Sequence, residues 1–133
     1  INENKIDFNL LDKKKINLID VNFKFNKPFD QISERSNNFI NKSFNIALKI
    51  LKTKNCSGLI NGPISKKHFL KKKYPGITEY ISKKTSSKNQ VMLIYNDKFS
   101  VSPITTHIPI KNVAKNINKK KNYQQCKTNC RIL

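Results

Sequence analysis

Glycine is scarce in this sequence. There are three in 133 residues, at Gly58, Gly62 and Gly76. The glycine-rich dinucleotide fingerprint needs three closely spaced glycines after a strand, so it is absent. Arginine is scarcer still, with only Arg35 and Arg131. Proteins that read bases add arginine for bidentate contacts or paired aromatics for stacking, and neither pattern is visible. The three cysteines, Cys56, Cys126 and Cys130, make no disulfide framework. Cys126 and Cys130 would share a helical face, but two thiols without further ligands make a poor zinc site. There is no secretory apolar segment and no apolar run near the length needed to span a bilayer. A cytoplasmic, reducing location is therefore expected. No Ser-His-Asp order and no Cys-His pair can be placed, so the sequence assigns no catalytic nucleophile.

What the chain has in abundance is lysine. Its 27 Lys+Arg face 8 Asp+Glu, a net charge of +19. Lysines cluster at 13–15, 71–73 and 119–121. Most such lysines form solvated faces. A second reading is a lysine-rich basic α/β module that binds nucleic acid non-specifically through counterion release. A third is that the positive field steers an anionic, phosphorylated substrate. The apolar fraction, 37%, is below that of an average globular domain. The length allows one domain at most, with a modest core.

Along the chain, strands are expected at residues 16–23, 57–61, 90–95 and 99–105. Ser33 is a candidate N-cap for a helix over 34–54, with an apolar stripe of Ile40, Phe44, Ala47, Leu48 and Leu51. Gly62-Pro63 punctuates the second strand before a short helix over 64–71, and Pro75-Gly76 is another turn. A helix over 78–84 follows, then a hairpin turn at 96–98. Pro103 argues for an edge position or a bulge. Strands alternating with helices imply an α/β class with a mixed or parallel sheet.

The run Thr105-Thr106-His107-Ile108-Pro109 falls between the last strand and a helical face of Ile110, Val113, Ala114 and Ile117. His107 is thus expected on a strand-to-helix turn, at the carboxyl end of a strand, where open α/β sheets build ligand sites. His68, among lysines, reads as solvent-facing. Thr78 could cap a helix or hydrogen-bond a phosphate or carboxylate, and Glu79 beside it reads as structural.

Four elements in order carry a family resemblance. They are Gly58-Leu59-Ile60-Asn61-Gly62-Pro63-Ile64-Ser65-Lys66, then Gly76-Ile77-Thr78-Glu79-Tyr80, then Val91-Met92-Leu93, and finally Thr105-Thr106-His107-Ile108-Pro109-Ile110. Together they resemble the 4-hydroxythreonine-4-phosphate dehydrogenases of pyridoxal phosphate (vitamin B6) biosynthesis, most firmly over residues 36–117.

The resemblance implies an oxidoreductase of the isocitrate and isopropylmalate dehydrogenase type, with a two-domain α/β/α architecture. It implies a homodimer and oxidation of 4-phosphooxy-threonine to a ketone, followed by loss of carbon dioxide. It also implies a divalent metal ion (zinc, magnesium or cobalt) and NAD or NADP. His107 would be one of three metal ligands, and Thr78 a substrate-binding residue. Ile77 stands where the family has a histidine. The family's glycine-rich opening and its other two histidine ligands are not in this sequence. The chain is therefore expected to be a fragment or truncated product, inactive and a poor metal binder alone. Residues 1–121 would form part of the dehydrogenase domain, and 122–133 an irregular tail outside it.

Overall fold

The computed structural model describes residues 6–88 and 90–130, so Arg131 and the end of the stretch 122–133 lie outside the described residues. The chain divides into two compact units, residues 1–73 and 74–133.

The first unit is built around α1 (Asn37–Lys52). The Ser33 hydroxyl accepts the Arg35 N–H and opens a 3-10 turn over Glu34–Ser36, which runs into the helix. The apolar stripe then buries Phe44 and Leu48, and the ring of Phe44 stacks on Phe69 with centroids 6.2 Å apart. The helix stops at Lys52, short of the expected Lys54. Thr53 turns its hydroxyl back onto the Ile50 carbonyl at 2.7 Å, and Lys54 enters the left-handed region at φ 62°. Residues 66–70 form a single π-helical turn, where a short helix was expected over 64–71. Leu70, on that turn, is 2% exposed and anchors the core. His68 is half-buried, not solvent-facing. Its ring bonds the Ser65 hydroxyl at 3.1 Å, and its carbonyl accepts from Asn37 Nδ2 at 2.8 Å.

The second unit starts with α2 (Ile77–Thr85), capped by Gly76 and ended by Ser86 at φ 54°. Tyr80 is buried on it and packs edge-on against Tyr74, with centroids 5.5 Å apart. Burial, and then the neighbouring Tyr74, push the Tyr80 phenol above its ordinary pKa. Beyond the hairpin loop come a 3-10 turn over Ile110–Asn112, α3 (Val113–Asn116) and α4 (Lys119–Asn129). Residues 119–129, read from sequence mostly as irregular tail, are helical because Asn118 caps them. Its side chain accepts the Lys121 N–H at 2.9 Å.

The expected sheet is the main departure. Among the described residues the pairing is a single antiparallel bridge, Ile94 with Val101, its two hydrogen bonds 2.8 and 2.9 Å long. Residues 16–23 and 57–61 form no ladder. A strand's backbone groups need a neighbour in register, and an isolated pair of strands is marginal in water. The apolar side chains meant for a sheet consequently face solvent: Ile16 is 96% and Ile60 99% exposed. Ile110, expected on a packed helical face, is 91% exposed.

Leu70→Ala should cost the first unit about 2–5 kcal/mol and abolish amide-exchange protection along α1. Leu10→Ala, at a side chain 82% exposed, should leave that protection unchanged.

Candidate functional site

In the second unit a cleft of about 250 Å³ opens between the start of α2 and the turn before α3. Its walls include Thr78, Glu79, Thr105, Thr106, His107 and Lys121. Two residues singled out from separate motifs, Thr78 and His107, thus line one cavity. Each is placed by its local backbone. Thr78 follows Gly76 in the first turn of α2, with its side chain exposed. His107 is exposed and adopts φ 55°. Left-handed backbone is uncommon outside glycine, though histidine is among the residues enriched there. Such a conformation costs about 1–3 kcal/mol and persists where the surroundings hold it.

The holding contacts come from residues that sequence reasoning passed over. Gln125, on α4, donates from Nε2 to the Pro103 carbonyl at 2.7 Å and to the Ser102 hydroxyl at 2.8 Å. Ser102 in turn donates to the Met92 carbonyl at 2.7 Å. This clamp ties α4 to both arms of the Ile94–Val101 hairpin, just before the His107 turn. A sequence signal for α4 does exist. Asn118 is a good N-cap, and Tyr123, Cys126 and Cys130 follow at helical spacing.

Gly76 supplies space rather than conformational freedom. Its φ of −158° is open to any residue. A Cβ placed there would lie 3.0 Å from Glu79 Oε2 and 3.7 Å from His107 Nε2. Both atoms therefore lie within 4 Å of one point beside Gly76. Glu79 Oε2 is shielded from water and has no hydrogen-bond partner. An imidazole nitrogen and a desolvated carboxylate oxygen have the donor chemistry that divalent cations use. The set is partial, since no group of three or more His, Cys, Asp or Glu that could hold a metal occurs among the described residues. Cys126 and Cys130 are exposed free thiols, as is Cys56. No helix among the described residues is long and apolar enough to cross a membrane.

A polar cleft at the turns between elements, with a few convergent side chains, is the form of a small-molecule site. The chain belongs to the family of the pyridoxal phosphate biosynthetic protein PdxA, whose family model matches residues 2–132. That match runs through the stretch 122–130 and implies an α/β, dehydrogenase-like fold. Among curated proteins the chain is 32% identical over 108 residues to a 4-hydroxythreonine-4-phosphate dehydrogenase of Sulfurihydrogenibium sp. (strain YO3AOP1). That alignment covers 80% of the chain and 32% of the relative. It is 38% identical over 69 residues to the protein of the same name from Aquifex aeolicus (strain VF5), covering 49% of the chain and 21% of the relative. The chain thus spans a third or less of the length of these relatives. No solved structure matches it.

Gln125→Ala should raise the exchange rates of the Ile94 and Val101 amides about tenfold, the net worth of one or two hydrogen bonds. Gln125→Glu should do at least as much, because a carboxylate only accepts and would face the Pro103 carbonyl.

Proposed function

We propose that this chain is part of a 4-hydroxythreonine-4-phosphate dehydrogenase and carries one corner of its active site. The observation that supports this most is the convergence of Thr78 and His107 on one cleft, in a chain whose curated relatives bear that name. In this reading the whole protein oxidises the hydroxyl of 4-phosphooxy-threonine to a ketone, with NAD or NADP as hydride acceptor. The β-keto acid then loses carbon dioxide. The Thr78 hydroxyl donates a hydrogen bond to the substrate's phosphate or carboxylate. Ile77, half-buried beside it, cannot donate one, so Thr78 makes that contact without the histidine seen in the family. Lys121, which also lines the cleft, adds positive charge, and the net +19 favours approach of a phosphorylated anion.

His107 supplies one ligand of a divalent metal, with further histidine ligands from segments outside this sequence. When bound, the metal polarises the substrate oxygen and steadies the charge left by decarboxylation. The nicotinamide contacts likewise come from outside this sequence. The architecture of the whole is proposed to be of the isocitrate dehydrogenase type, with residues 1–121 forming part of its dehydrogenase domain. A cytoplasmic homodimer completes the proposal.

Purified chain, mixed with 4-phosphooxy-threonine, NAD or NADP and a divalent metal, should produce no reduced nicotinamide. Turnover would show that the ligands and cofactor contacts are already complete here. In a full-length relative, alanine at the position matching His107 should abolish metal-dependent turnover. Normal activity in that variant would remove the role given to the imidazole.

A further inference from the structure

We propose that Glu79 is a second donor, beside His107, for a divalent cation in this cleft; the inference rests on the metal-binding role given to His107. Glu79 Oε2 is screened from solvent without a hydrogen-bond partner. A carboxylate oxygen in that state is costly unless a cation or a donor satisfies it. Among the residues lining the cleft, Glu79 is the one carboxylate. In a chain of net charge +19, an uncharged imidazole alone would have to draw a cation into a positive field. A carboxylate beside it offsets that field where the cation would sit.

Geometry sets the pair apart from an ordinary surface contact. The point where a Gly76 side chain would begin is 3.0 Å from Glu79 Oε2 and 3.7 Å from His107 Nε2. The two donors thus approach a common point beside Gly76. One nitrogen and one oxygen donor suit borderline and hard cations, and manganese in particular has little use for the exposed thiols elsewhere in the chain.

The test uses Mn²⁺ alone, titrated into the purified chain and followed by paramagnetic broadening of NMR signals. Resonances of His107 and Glu79 should broaden ahead of those from the remaining acidic residues. Glu79→Gln preserves the size of the side chain and should weaken this binding about tenfold or more. His107→Ala should weaken it comparably, and the double variant, left with neither donor, should bind more weakly than either single change. Gly76→Ala, which sets a methyl group against the carboxylate, should also weaken it. Wild-type affinity in Glu79→Gln, with loss in His107→Ala, would overturn the role of Glu79 and leave that of His107 standing. Cleft broadening that persists unchanged in the double variant, or none in the wild type, would overturn both.

Discussion

The Ile94–Val101 pairing carries the site. Its two hydrogen bonds bring residues 90–92 and 102–105 side by side, and His107 leaves directly from the second arm. An isolated hairpin is marginal in water, so the pairing needs support. The chain from Gln125 through Ser102 to the Met92 carbonyl provides it, with Gln125 also held to Pro103. Each such bond is worth about 0.5–1.5 kcal/mol net. Together they can offset the cost, about 1–3 kcal/mol, of holding a non-glycine residue in left-handed backbone. α4 therefore belongs to the site although it lies far along the chain.

Charge acts on two scales. Most of the lysines stand in solvent, where ionic strength screens them beyond about 8–10 Å. Their sum can speed the approach of an anion without choosing its pose. Among the described residues lining the cleft, Glu79 and Lys121 are the charged ones, so a cation and an anionic group would each meet one charge of opposite sign there.

How much of this was legible in the sequence differed by element. The first two α-helices were readable because their information is local: a cap, a stripe at helical spacing, a residue that ends them. Phe44 and Leu48 were on the expected face, and both are buried. The strands were not readable in the same sense. The apolar runs at 16–23 and 57–61 have the composition of buried strands, but composition says nothing about which segment pairs with them, and among the described residues none does. α4 was missed because its apolar pattern is faint; the helix stands on a cap and a glutamine clamp. Thr78 and His107 could be named from their motifs. Their meeting in one cleft could not, since it depends on the hairpin. Glu79 reads as structural from its place beside Thr78, and its buried, unpartnered Oε2 close to His107 gives it another aspect.

Exposed apolar side chains bear on function as much as on stability. Ile16, Ile60 and Met92 are exposed, the kind of surface that further sheet and helix layers bury. Closing a site to water strengthens the electrostatic interactions inside it, and His107 here is exposed. Whatever covers Met92, on the wall of the cleft, would therefore also dry that cleft, strengthening the pull of Glu79 and His107 on a shared cation as the local dielectric falls.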